Sequence, residues 1–190
     1  GLHLEQAGRI RAVAFDKTGT LTVGRPAVTG VLPIGAADEL WVLAVAAAVE
    51  ARSAHPIARA VIQYAEARGA SWQPADRVRD LPGYGAAGEV PGAPALVGSH
   101  RLIEERGLCG PEVEAAIGRL GDGATAVLVA HAGRVIGVVG VADRVRATTR
   151  GVVEELRALG IGHIEMLTGD HLTTARAVAG LAGIGRYQAG

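Results

Sequence analysis

In Ile10-Arg11-Ala12-Val13-Ala14-Phe15-Asp16-Lys17-Thr18-Gly19-Thr20-Leu21-Thr22 a short apolar run, Ile10 to Phe15, stops on a carboxylate, and seven residues from Asp16 to Thr22 make the loop that follows. A run of this length and composition reads as a buried parallel strand. In open α/β sheets ligands bind beyond the carboxyl ends of the strands, so Asp16 is expected at a sheet edge. Gly19 lets the following turn bend sharply. The hydroxyls of Thr18, Thr20 and Thr22 can hydrogen-bond a phosphate or the turn itself. A carboxylate in that position can attack phosphorus and form an aspartyl-phosphate. An isolated Asp-Lys would be an ordinary Asp-initiated turn; seven such residues in this order point to chemistry.

Those seven residues, followed by Val23-Gly24-Arg25-Pro26, resemble the phosphorylation motif of P-type ATPases, and the Gly and Pro tail resembles the heavy-metal-transporting branch. The resemblance implies an α/β, haloacid-dehalogenase-like (Rossmann-like) phosphorylation domain. It also implies Asp16 as acceptor of the γ-phosphoryl of ATP, with Lys17 and Thr18 in the same site. Mg²⁺ would be held by Asp16 and a backbone carbonyl near Thr18.

Composition limits the alternatives. The chain has 190 residues, 49% of them apolar and 3% aromatic, so a core built from small aliphatic side chains is expected. Lys plus Arg equals Asp plus Glu at 19 each, which leaves no basic excess for nucleic acid. The single cysteine, Cys109, excludes an intrachain disulfide and any paired-cysteine metal site, and reads as a small half-buried apolar residue. The six histidines show no H-x-x-H spacing. No apolar run approaches the roughly 20 residues of a membrane span, so the chain is expected to be soluble by itself.

After the Asp16 loop, residues 28–33 read as a strand bounded by Pro26. Asp38 is the expected N-cap of an almost wholly apolar, buried helix over 40–52. Ser53 is the expected cap of a second helix that ends near Arg68 and Gly69. Residues 72–80 read as polar and turn-like. Gly83-Tyr84-Gly85-Ala86-Ala87-Gly88 matches G-x-G-x-x-G. A hairpin rather than a helix is expected after it, which argues against a dinucleotide fingerprint. Short helices are expected over 100–106 and 111–120. Residues 126–130 and 135–141 read as a hairpin closed by His131-Ala132-Gly133-Arg134. A helix over 143–159, a strand over 163–167 ending at Thr168-Gly169-Asp170, and a helix over 172–181 complete the pattern.

Within this pattern, Glu50-Ala51-Arg52-Ser53-Ala54-His55-Pro56 resembles the Ser-x-His-Pro motif of the nucleotide domain in heavy-metal P-type ATPases. Residues 83–88 resemble its glycine motif. The resemblance implies ATP binding by Glu50, His55, Gly83 and Gly85. Asp143-Arg144-Val145-Arg146 resembles the hinge that returns the family's chain to the phosphorylation domain. Met166-Leu167-Thr168-Gly169-Asp170 resembles a further signature, with Thr168, Gly169 and Asp170 near the phosphate and magnesium. The expected organisation is a phosphorylation domain in two parts, 1–27 and 142–190, incomplete at its C-terminus. It is interrupted by an inserted α+β nucleotide-binding domain over 28–141, an antiparallel sheet flanked by helices.

The family's Gly-Asp-Gly signature, with the third magnesium ligand, its transmembrane helices and its actuator domain are not in the sequence. The reading is a region exposed at the cytoplasmic face of a membrane-bound pump, which binds ATP but turns it over poorly by itself. The transported metal is not expected to bind here; local wording leans to zinc, cadmium or cobalt over copper. A free-standing phosphatase of the same superfamily is the first alternative, but it would carry an acid–base carboxylate where Thr18 stands. A non-catalytic nucleotide-binding module is the second.

Overall fold

The computed structural model describes residues 8, 10–121, 123–169 and 172–189, apart from the side chain of Thr173. The strands are β1 (Ala12–Asp16), β2 (Thr22–Pro33), β3 (Asp76–Leu81), β4 (Gly85–Val90), β5 (Ala93–Gly98), β6 (Thr125–His131), β7 (Arg134–Val145), β8 (His163–Thr168) and β9 (Arg186–Ala189). The helices are α1 (Glu39–Glu50), α2 (Pro56–Ala67), α3 (His100–Glu105), α4 (Pro111–Gly118), α5 (Thr149–Ala158) and α6 (Leu172–Ala182). The chain forms two compact units, one of residues 1–25 with 143–190, the other Pro26–Ala142. β2 and β7 both run through the division.

The first unit is a parallel sheet in the order β1-β8-β9. Asp16 pairs in register with Leu167, and Thr168 with Ala189. Val153 of α5 and Ala175, Val178 and Ala179 of α6 bury Ile164 and Met166, with Phe15 packed beside them. Burial of side chains such as Met166, which is wholly enclosed, contributes about 1.5–3 kcal/mol each. β1 is not the buried strand expected. It lies at one edge of the described sheet, and its residues alternate between exposed and half-buried. Alanine hides this in the sequence, because Ala12 and Ala14 sit on the open face as readily as in a core. Strand β9 was not expected.

The second unit is built on the order β2-β7-β6-β5-β4-β3, with antiparallel pairing from β3 through β7. Helix α1 is buried over Val42–Glu50. Its Val42, Val45 and Val49 pack with Val97, Val129 and Val139 of the sheet, while Leu43 and Ala47 meet Ala65 of α2. Asp38 caps α1 by accepting from the Trp41 N–H at 2.7 Å.

Several boundaries differ from expectation. β2 runs straight through Pro26; it is last in the sheet order, where a missing N–H is tolerated. Residues 76–81 form a strand despite their polarity, since β3 is the other edge and much of its surface is exposed. His55, not Ser53, caps α2, with Nδ1 accepting from the Ile57 N–H at 3.2 Å. Residues 143–145 extend β7, and the helix begins only at Thr149.

Candidate functional site

The Asp16 loop is held from below. Lys17–Leu21 form a wide turn interrupted by extended Thr18 and by Gly19 at φ +78°. Thr22 is fully buried. Its hydroxyl accepts from the Gly19 N–H at 3.2 Å, donates to Asp143 Oδ2 at 2.5 Å and lies 3.1 Å from the Lys17 carbonyl oxygen. The Asp143 carboxylate also accepts from the N–H groups of Gly24 and Arg25, both at 3.1 Å. The Arg146 guanidinium donates to the carbonyls of Gly19 (2.9 Å) and Thr20 (3.1 Å). The Thr149 hydroxyl, buried, donates to the Leu21 carbonyl at 2.9 Å. These contacts satisfy the loop's inward polar groups and leave Asp16, Thr18 and Thr20 exposed.

Thr168 ends β8 beside β1, one residue past the partner of Asp16. Parallel neighbours are about 4.8 Å apart, so Asp16 and Thr168 share one carboxyl edge. Gly169 follows with open space where a Cβ would stand. Asp170 lies outside the described residues.

The second unit contains a cavity of about 640 Å³, within the usual range for small-molecule sites. Glu50, His55, Gly83 and Gly85 all line it, together with Arg52, Ser53, Asp80, Tyr84 and Ser99. Glu50 closes α1 and is only 8% exposed. Burial pushes its carboxyl above the ordinary range; a hydrogen bond with Ser53 opposes the rise and the nearby Asp80 charge adds to it. His55 is exposed at the rim. Because its Nδ1 accepts the capping bond, the ring proton of the neutral form belongs on Nε2.

The two glycines serve differently. Gly83 has φ +78° and nothing within 4 Å of its absent Cβ, whereas a Cβ on Gly85 would stand 2.1 Å from the Val97 carbonyl oxygen. Gly98, its register partner, is equally crowded, 2.2 Å from the Tyr84 carbonyl oxygen. The side chains that sequence reasoning left without a role are Arg52, inside the Glu50–Pro56 motif, and Asp80, in the stretch read as a turn. Ser99 caps α3 by accepting from the Leu102 N–H at 3.4 Å. A smaller cavity of about 350 Å³ lies over β2, with Arg119 the one ionisable residue among the described residues that line it. No helix among the described residues is long and apolar enough to cross a membrane.

A family model of haloacid dehalogenase-like hydrolases matches residues 10–189. A zinc-exporting P-type ATPase of Mycobacterium marinum is 41% identical over 195 residues, covering 100% of this chain and 26% of that protein. A manganese-exporting P-type ATPase of Mycobacterium tuberculosis is also 41% identical, with 100% and 27% covered. The chain therefore spans about a quarter of the length of these curated relatives. Among solved structures, a zinc-transporting PIB-type ATPase in the E2.Pi state matches with TM-score 0.70 and 37% identity, over 98% of this chain and 30% of that one. The catalytic domain of the CPx-ATPase CopB-B matches with TM-score 0.73 and 25% identity, over 97% and 63%. The chain belongs to the haloacid dehalogenase-like hydrolases, and within them its relatives are metal-exporting P-type ATPases.

Proposed function

We propose that this chain is the ATP-binding and phosphorylation region of a heavy-metal-exporting P-type ATPase, with ATP held by the second unit and Asp16 as the phosphoryl acceptor. The observation that carries the proposal is the segregation of the two chemistries. The adenine candidates converge on one cavity in the Pro26–Ala142 unit, while the acidic nucleophile stands exposed at a strand end in the other. Relatives that export zinc and manganese match the chain equally well, as suits a part that handles ATP rather than cargo.

In the cavity, the buried Glu50 carboxylate accepts from the exocyclic amine of adenine and the His55 ring stacks on the base or donates through Nε2. Gly83 lets the backbone approach the nucleotide, and Arg52 at the wall supplies a cation for its phosphates. At the other site an Asp16 oxygen attacks the γ-phosphorus. The bond to the bridging oxygen breaks, ADP leaves, and the phosphoryl group stays on the carboxylate. Lys17 offsets its charge, and the Thr168 hydroxyl and the backbone of Gly169 bind its oxygens. Asp16 and the Thr18 carbonyl suit a hard, oxygen-seeking cation; Mg²⁺ bound there would neutralise phosphate charge. Thr18 has no carboxyl proton to give or take at the position where a phosphatase keeps its acid–base group, so the phosphoenzyme persists long enough to drive transport.

The test is phosphorylation of the full-length pump from γ-labelled ATP. Acid-stable label should form in the wild type and be absent in Asp16→Asn; unchanged labelling of that variant would rule the assignment out. His55→Ala should weaken ATP binding by roughly 1–2 kcal/mol, measured by calorimetry.

A further inference from the structure

Three metal-ligating side chains outside both sites converge on one point. The His100 Nε2 lies 2.7 Å from Glu114 Oε1 and 3.1 Å from Cys109 Sγ, and the Cys109 thiol donates to the same Glu114 oxygen at 3.0 Å. Among the described residues this is the one group of three such side chains whose ligand atoms all lie within 4.8 Å of one another. Its members come from the first residue of α3, the connection after it, and α4.

We propose that His100, Cys109 and Glu114 form a binding site for a zinc-type divalent cation on the Pro26–Ala142 unit. The donor set makes the choice of ion. Thiolate, imidazole and carboxylate together are a zinc set; magnesium and calcium take oxygen ligands alone. The size agrees. A tetrahedral zinc holds its ligands at about 2.0–2.3 Å, so they stand roughly 3.3–3.7 Å from one another. The present separations are shorter by about half an ångström, which a small rotation of the exposed Glu114 side chain and the half-exposed ring of His100 supplies. At present two protons, on Nε2 and Sγ, hold the cluster together around one oxygen; on coordination the thiol loses its proton to solvent and the imidazole carries its own on Nδ1. The exposed side of Glu114 leaves the fourth position to water, so the ion is exchangeable. Glu104, 4.0 Å from the His100 Nε2, adds negative charge beside it.

The framework is rigid enough to be selective. The connection between the helices is fixed by Gly107 N–H donating to the Glu104 carbonyl at 2.9 Å and Leu108 N–H to the Ile103 carbonyl at 3.0 Å. Ile103, Val113 and Ala116 are buried in one core cluster, with Leu108 and Cys109 packed against it. The proposal is independent of the ATP reading, since it uses none of the residues assigned to nucleotide or phosphate.

The test uses the reduced 190-residue chain without nucleotide. Equilibrium dialysis against zinc chloride should retain about one zinc per chain. Cobalt substituted for zinc should give a sulfur-to-cobalt charge-transfer band. Cys109→Ser, nearly isosteric, should abolish the band, and both it and Glu114→Gln should weaken zinc binding at least about tenfold without changing the thermal melt. His163→Ala, which changes a histidine of the other unit, should leave binding unchanged. Failure to retain zinc, or retention undiminished in Cys109→Ser and Glu114→Gln, overturns the proposal. Retention lost equally in His163→Ala would also overturn it, by showing adventitious binding to histidines.

Discussion

Gly85 is required first by the sheet. A Cβ there would strike the Val97 carbonyl oxygen and the Gly98 Cα, so Gly85→Ala should disrupt the β4–β5 pairing and destabilise the second unit whether or not ATP is present. Gly83 faces open space. Gly83→Ala should cost only the roughly 1–2 kcal/mol of a left-handed backbone while weakening ATP binding. Denaturation and calorimetry on both variants separate the two effects. Glu50 is a different kind of test. Its folded-state pKa is raised by burial, so above its ordinary pKa the unfolded chain ionises more readily than the folded one. The resulting loss of stability sets in as pH rises from the ordinary value through the raised one, and is complete above it. Glu50→Gln should therefore stabilise the unit at pH 7, read as a higher denaturant midpoint. That gain should vanish below about pH 4, where the carboxyl is protonated in both states, and the same variant should bind ATP less well. Loss of stability at pH 7 in Glu50→Gln would show that the carboxylate is structural.

At the scale of elements, the segment from Asp143 to Thr149 carries the loop chemistry. Its carboxylate, guanidinium and hydroxyl bind residues 19–25 through six contacts described above. Bonds to a charged acceptor contribute about 1.5–3 kcal/mol each. Asp143→Ala should destabilise the first unit by roughly 2–4 kcal/mol, with Asp143→Asn milder because its amide oxygen still accepts. Near-ultraviolet circular dichroism and denaturant melts would read this, and an undisturbed melt for Asp143→Ala would refute the clamp. The sequence reading foresaw a hinge at residues 143–146 but placed them in a helix. Charged residues beside Thr and Val fit a helix as well as a strand end, and only the partners at 19–25 decide between them. The helices were legible where caps and apolar runs are local, as in α1 behind Asp38. Edge strand β3 was not, because half of its surface is open and its alternation is blurred by charge; β1 was legible as a strand, and alanine hid only its exposure. That Glu50, His55, Gly83 and Gly85 belong together could be read from contiguous motifs, and all four line one cavity. The His100–Cys109–Glu114 cluster could not, since nine and five residues of irregular spacing resemble no ligand pattern; its convergence exists only in three dimensions.

At the scale of the molecule, each unit has its own core. Leu21, Val153, Ile164 and Met166 belong to one; Val42, Val49, Val97 and Val139 belong to the other. A unit that encloses its own apolar surface can unfold by itself. Calorimetry of the 190-residue chain should then show two transitions. The proposed function fixes how ATP moves them. A ligand stabilises what it binds by RT ln(1 + [L]/Kd), about 2.7 kcal/mol at a hundredfold excess over Kd. For a domain of this size that raises the melting temperature by on the order of 10 °C. Only the transition of the Pro26–Ala142 unit should rise, and residues 26–142 expressed alone should show the same shift. His55→Ala should shrink the shift in both samples. Asp16→Asn should leave it intact while abolishing phosphorylation in the full-length pump. A shift confined to the unit that carries Asp16, or one that survives His55→Ala undiminished, would mean that the nucleotide is held somewhere other than the cavity beside Glu50.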